Sequence, residues 1–345
     1  MPLQDLSAEE NEKRESEPKP LFADFQDYMD GVKPGLDIAF KAQVLSCLRN
    51  IPINDIAYLV ESLGAGKKIR GCLTCMIAEA LGGPVQTVIP RAVAVELIHT
   101  ATLIHDDYVD QHITRRNRSA PWTLEGARRA VLIGDMLVAT TMKTMNALGR
   151  EEGRAISHAV ALLSKGALYE PLDPSALARE VESNRFRANL YERIIYLKTG
   201  ILFGTACQLG AIAANTNGEI ETISFRYGVK IGEAYQIADD IVDIEHSLRA
   251  QSIHPGEMAA LTPAFLYFLR ESSPSVLAIL KRNGCGTLSQ ETVEAFQTAL
   301  GRMRSAVRFR LDSAASEIEG HFPKNTFLRL VERAPWDLVR IFAES

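Results

Sequence analysis

Between residues 86 and 110 the positions Val88, Ala92, Val95, Ile98 and Ala101 fall three or four apart, with Thr102 beside the last. That spacing closes into a single buried face only on a helix. Comparable patterns run over residues 129–149, 156–169, 189–214, 220–246 and 289–318. Strict alternation between hairpin turns, the mark of a half-buried strand, is missing, and no alternation of helices with strands points to a parallel sheet. The chain therefore reads as all-α, with ten or more helices packed around a central cavity. Its 345 residues are enough to bury a large core.

Turn chemistry divides the pattern at Gly82-Gly83-Pro84, in a basic loop over 117–121, at Pro171 to Pro174, and over 253–263, where the helix beginning near Ile220 is expected to end. No linker rich in Pro, Gly or Ser separates two halves. The expected organisation is a flexible, polar tail over residues 1–20 and one domain over 21–345. The tail, MPLQDLSAEENEKRESEPKP, has neither the apolar core of a signal peptide nor the arginines of a transit peptide. No apolar run approaches the roughly 18 residues that span a bilayer, so no transmembrane segment is expected and the chain reads as cytoplasmic. A net charge of −5 argues against nucleic acid as a partner. Five scattered cysteines, Cys47, Cys72, Cys75, Cys207 and Cys285, read as reduced thiols. Cys72 and Cys75 form a lone CxxC in apolar surroundings and read as small buried side chains, not a metal or redox pair.

The sharpest chemical feature is LIHDDYVDQHITRR, which carries Asp106, Asp107 and Asp110. On a helix Asp106 and Asp110 share a face, and like charges there repel. A hard divalent cation between them reverses the sign, since Mg2+ takes oxygen ligands and commonly completes its shell with phosphate. The segment AYQIADDIVDIEH repeats the spacing with Asp239, Asp240 and Asp243. One such motif alone reads equally as a solvated acidic face; two, each embedded in apolar helix, do not. Countercharge for phosphate is at hand in Arg115 and Arg116, which follow the first motif by a helical turn or more. Further cations are Lys67, Lys68 and Arg70 of GAGKKIRG, and Lys198 of YLKTGILFG. Taken singly, the glycine-rich turn reads as a solvated connection, Lys198 as a lysine reaching the surface, and His99 as a core histidine.

Together these segments closely resemble the trans-type polyprenyl diphosphate synthases, the family of farnesyl and geranylgeranyl diphosphate synthases. The resemblance runs motif by motif over residues 22–263 and more weakly to the C-terminus. It implies the all-α isoprenoid synthase fold, a homodimer, and condensation of an allylic diphosphate with isopentenyl diphosphate. By that resemblance Asp106, Asp107, Asp110, Asp239, Asp240 and Asp243 are ligands of a Mg2+ cluster or stand directly behind it. Arg115 and Lys198 contact the allylic diphosphate, and Thr199 and Gln236 lie beside the reacting carbon. Lys67, Arg70, His99 and Arg116 form the pocket for isopentenyl diphosphate. The family's chain length follows the bulk of side chains just before the first motif. Ala101 and Thr102 are small there, which favours a product above fifteen carbons, with twenty the first choice.

The sequence also departs from the family. Lysines usually follow the second motif, yet residues 244–263 contain none. Ala259 and Ala260 stand near the expected lysine, ahead of a preserved Leu261-Thr262-Pro263. His246, Arg249 and His254 are basic but occupy no matching position. Lys165-Gly166 stands where Gly-Gln is usual, followed by Glu170 in place of an Asp, and Gly71 stands where proline is common. A lost diphosphate contact costs orders of magnitude in rate. Two alternatives therefore stand beside the elongating enzyme: a regulatory subunit of a heteromeric prenyl synthase, and a terpenoid enzyme running another prenyl reaction. The six aspartates argue against the first, and the intact second motif argues against a cyclase.

Overall fold

The computed structural model describes residues 21–169, 189–250, 252, 255–269 and 288–343. Thirteen α-helices make up nearly all the regular structure among the described residues. They are α1 (Phe25–Leu48), α2 (Ile56–Gly64), α3 (Ile69–Ala80), α4 (Val85–Val109), α5 (Pro121–Glu125), α6 (Ala127–Leu148) and α7 (Arg150–Tyr169). After these come α8 (Leu190–Ile195), α9 (Ile201–Ala213), α10 (Gly218–Ala250), α11 (Pro255–Leu269), α12 (Gln290–Ile318) and α13 (Leu328–Ala343). Between α8 and α9 the chain winds one π-helical turn, Tyr196–Gly200. Two-residue strands, β1 (Thr114–Arg115) and β2 (Arg118–Ser119), pair antiparallel.

Helix starts follow from local side-chain chemistry. Asp24, Asp55 and Ser289 each precede a helix and accept a hydrogen bond from the backbone N–H three residues on, at 3.0, 2.9 and 3.2 Å. Each thereby satisfies one of the N–H groups that a helix leaves without an internal partner. Proline opens α5 and α11, where its missing N–H costs nothing. The long helix that begins near Ile220 does end, at Ala250, but the stretch after it is helical again: Pro255 starts α11, which continues through Pro263.

Long α10 packs between α9 and α12, while α4 runs beside α3, α6 and α9. One apolar cluster joins α1, α3 and α4 around Tyr28, Phe40, Leu73 and Leu97. A second lies between α8, α10, α11 and α12, with the Phe265 and Phe296 rings stacked at 4.3 Å. A third joins α4, α7 and α9 through Val95, Ile156 and Leu202. Cys72 and Cys75 are buried on α3, where burial raises both thiols, Cys75 to about 12. They are inert side chains at physiological pH.

Contrary to the expectation from sequence, Val85–Val109 and Leu190–Ala213 are long and apolar enough, by length and composition, to cross a membrane. Their apolar character has another source. Each is surrounded by other helices, and 61% and 78% of their most apolar windows are buried inside the fold. The tail 1–20, Pro171 to Pro174, Glu170, His254 and Cys285 lie outside the described residues.

Candidate active site

The first aspartate segment closes α4. Asp106 and Asp107 occupy its last turn, and Asp110 is the residue that caps it, its N–H donating to the Asp106 carbonyl at 2.8 Å. The chain then reverses. Arg115 and Arg116 do not continue a helical turn: Arg115 lies on β1, and Arg116 and Asn117 form the two-residue turn to β2. Both have positive φ, +52° and +58°, as a type I′ hairpin turn requires. Arg115 is thereby folded back onto Asp107, Nε to Oδ1 at 2.6 Å, and His112 Nδ1 lies 3.9 Å from the same oxygen. Trp122 Nε1 donates to the His112 carbonyl at 2.7 Å and fastens the reversal.

Arg116 crosses to the glycine-rich turn and donates to the Ala65 carbonyl. Gly66 is required beneath it, because its φ is +144° and a Cβ there would overlap the guanidinium. Lys67 is held below its ordinary value by burial and by Arg116. Lys68 is structural: it is 4% exposed, donates to the Gly64 carbonyl at 2.6 Å and lies 4.3 Å over the Phe40 ring. Arg70 stacks 4.5 Å over Phe203, and its Nε is buried with no hydrogen-bond partner. A guanidinium kept partly unsatisfied in this way is prepared for an anion. His99 faces the same group. Burial first, then Arg70, Arg116, Lys68 and Arg115, hold it well below the usual histidine value, so it is neutral at physiological pH.

Glu96 balances this cluster and was not singled out from the sequence. It is 4% exposed, and it attracts Lys68, Arg70 and Arg116. Its Oε1 accepts from the Gly71 N–H at 2.8 Å, in the first turn of α3. Proline at position 71 could not make that bond. A lone acid within an apolar helix was the available signal.

The second segment lies within α10. Gln236 accepts from Thr199 Oγ1 at 2.7 Å through Oε1 and donates to Asp240 Oδ1 at 3.1 Å through Nε2. Lys198 and Thr199 sit in the π-turn, not in regular helix, and such turns frequently mark functional sites. Gly166 of α7 packs against that turn: a Cβ on it would lie 2.9 Å from Leu197 Cβ and 3.1 Å from the Lys198 nitrogen. Burial, followed by the repulsion of Asp243, raises Asp239 to about 6. Burial raises Asp240 to about 7, against the hydrogen bonds of Tyr191 and Gln236.

Thus the structure gathers Arg70, His99, Arg115 and Arg116 into one electrostatic neighbourhood, and Thr199, Gln236 and Asp240 into one hydrogen-bonded row. Tyr235 is acted on by Arg70 and Arg116 and, with opposite sign, by Asp239. Among the described residues no three His, Cys, Asp or Glu side chains converge on a point that would hold a metal ion. The oxygen-only donors fit a hard divalent cation nonetheless, because the burial and repulsion at Asp239 are what such an ion relieves.

Comparison with known proteins places these residues in context. The family model for polyprenyl synthetase matches residues 54–252. The chain is 32% identical over 192 residues to octaprenyl diphosphate synthase of Escherichia coli K12, covering 55% of this chain and 57% of that protein. It is 31% identical over 188 residues to geranylgeranyl diphosphate synthase of Methanosarcina mazei, covering 54% and 57%. The chain thus spans little more than half the length of these curated relatives. A polyprenyl synthase from Caulobacter crescentus CB15, complexed with calcium and isoprenyl diphosphate, superposes with a TM-score of 0.70 at 21% identity, covering 91% of this chain and 97% of its own. The architecture is the all-α isoprenoid synthase fold.

Proposed function

The chain belongs to the polyprenyl synthetase family, and from that premise we propose that it condenses an allylic diphosphate with isopentenyl diphosphate. The observation that carries this reading is the pairing of an anion-ready cationic pocket, Arg70 with its unsatisfied Nε beside neutral His99, with the Thr199–Gln236 row alongside Asp239.

In this reading Asp106, Asp110, Asp239 and Asp243 hold Mg2+ together with the oxygens of the diphosphate. Asp107 and Asp240, already tied to Arg115 and to Gln236, stand behind them. When bound, the ion neutralises charge that develops on the leaving diphosphate. Lys198 and Arg115 supply further positive charge to that group. Lys67, Arg70 and Arg116 bind the diphosphate of isopentenyl diphosphate, with His99 neutral beside them. Thr199 and Gln236 present oxygen toward the reacting allylic carbon, where positive charge spreads. The protein's share is positioning, exclusion of water and charge stabilisation; the carbon–carbon bond forms between the substrates, and the proton lost goes to the departing diphosphate.

Ala101 is buried and Thr102 is folded back onto the His99 carbonyl at 2.8 Å, so neither projects a bulky group before the first motif. A product of twenty carbons or more follows. We further propose one catalytic domain over residues 21–345, acting as a cytoplasmic homodimer.

The test is incubation of the purified protein with labelled isopentenyl diphosphate, Mg2+ and each of the C5, C10 and C15 allylic diphosphates, with sizing of the dephosphorylated products. Products lengthened in five-carbon steps are expected, and they are expected to vanish in Asp106→Ala and Asp239→Ala. If no primer is extended, elongation by this chain alone is refuted. The absence of lysine from 244–263 would then favour a subunit that needs a partner.

A further inference from the structure

Tyr191 has no place in the proposed reaction, yet its phenol closes one end of the site's hydrogen-bonded row. It is 3% exposed on α8, and its hydroxyl donates to Asp240 Oδ2 at 2.5 Å. Rings of Tyr267 and Phe268, 5.7 and 5.5 Å away, fix the phenol's direction. The other oxygen of Asp240 accepts from Gln236 Nε2, and Gln236 Oε1 accepts from Thr199. Donation therefore runs inward on Asp240 from both sides, from Tyr191 directly and from Thr199 through Gln236.

The amide of Gln236 has two chemically different ends of nearly equal size. Ionised, Asp240 accepts on both oxygens and does not donate, so with donors on either side it forces the NH2 end of Gln236 toward itself. The carbonyl end must then face Thr199, whose hydroxyl proton is committed to it. Without the Tyr191 hydroxyl, Oδ2 of Asp240 loses its donor in a buried setting, the carboxylate is free to turn, and the amide can flip.

We propose that Tyr191 is a positioning residue: through Asp240 it fixes the orientation of the Gln236 amide and the Thr199 hydroxyl. The inference rests on the reading of Thr199 and Gln236 given above and assigns Tyr191 a role in it.

Tyr191→Phe keeps the ring and removes the donor, and it is to be compared with wild type, Gln236→Ala and the double variant. The expected result is a fall in kcat of about ten-fold or more with KM for isopentenyl diphosphate unchanged, since positioning acts on the transition state. Tyr191→Phe added to Gln236→Ala should cost nothing further. Mn2+ binding in the presence of inorganic pyrophosphate, read by electron paramagnetic resonance, should be the same in Tyr191→Phe as in wild type and lost in Asp239→Asn. Should Tyr191→Phe fail to fold, Asp240→Asn, which leaves one acceptor oxygen where two had fixed the Gln236 amide, is expected to show the same kcat loss. A wild-type chain that extends no primer overturns the proposed function. An active wild type overturns this inference alone if Tyr191→Phe keeps its kcat, loses Mn2+ binding, or adds its loss to that of Gln236→Ala.

Discussion

The carboxylate of Asp107, 1% exposed, is met by Arg115 Nε at 2.6 Å across a hairpin that begins only five residues after α4 ends. The pair ties the reversal of the chain to the last turn of α4. Breaking one side of it leaves a buried charge that His112, at 3.9 Å, and the attraction of Arg116 offset without a direct bond. Arg115→Ala is therefore expected to lower stability by about 1–3 kcal/mol, below the fully buried limit because Arg115 itself is one-third exposed. Urea denaturation at neutral pH measures this. An unchanged midpoint would mean that Asp107 turns out to water.

Glu96 accounts for how so many cations coexist at the start of α3. Glu96→Gln keeps an acceptor for the Gly71 N–H and removes the charge that Lys68, Arg70 and Arg116 share. A loss of about 2–4 kcal/mol is expected, as when one partner of a buried ion group is removed. Inorganic pyrophosphate should raise the variant's Tm more steeply than that of wild type, because it restores negative charge to the cluster. Parallel titration curves would contradict this balance.

The pair Tyr28–Glu79 makes a stability prediction with a defined sign. Tyr28 donates to Glu79 at 2.5 Å, but burial of Glu79 outweighs that bond and raises its pKa above 4.5. A raised carboxyl pKa stabilises the fold fully below the unfolded value, and this contribution fades as pH rises through the folded value. Glu79→Gln, which keeps an acceptor for Tyr28, should match wild type near pH 4 and gain in Tm relative to it from about pH 4.5 upward. Thermal melts from pH 4 to pH 8 decide the matter; a difference that shrinks with rising pH would reverse the sign.

The fold was legible where apolar spacing persists over many residues. Helices at 85–109, 127–148, 218–250 and 290–318 begin and end within a few residues of the periodic stretches. It was obscured where punctuation residues sit inside helices. Pro263 lies within α11, so sequence showed a broken region where the chain is helical from Pro255 onward. Tertiary packing overrides these local preferences.

Within the site, both aspartate segments, the basic turn and the Lys198-Thr199 pair were visible as residue types at fixed spacing. The route by which they act on one another was not. The turn of β1 to β2 is built on Arg116-Asn117, not the Asn-Gly that advertises a type I′ hairpin, so the fold of Arg115 onto Asp107 carried no local signal. Glu96 and Tyr191 take their importance from partners 25 and 49 residues away, which spacing along the chain does not encode.

The π-turn between α8 and α9 has a consequence in helical phase. In unbroken α-helix Tyr191 and Thr199, eight positions apart, would diverge by about 80° around the axis. A wider turn over Tyr196–Gly200 absorbs the length of roughly one residue, which returns the two to within about 20°. Tyr191 and Thr199 can therefore hold Asp240 and Gln236 from a common face. Rewinding that turn as regular α-helix, with every residue kept, would leave the length and apolar content of the segment almost unchanged. It would nevertheless swing Tyr191 away from Asp240 by roughly a quarter turn. The register of the winding, more than any single contact within it, keeps the two ends of that polar row in line.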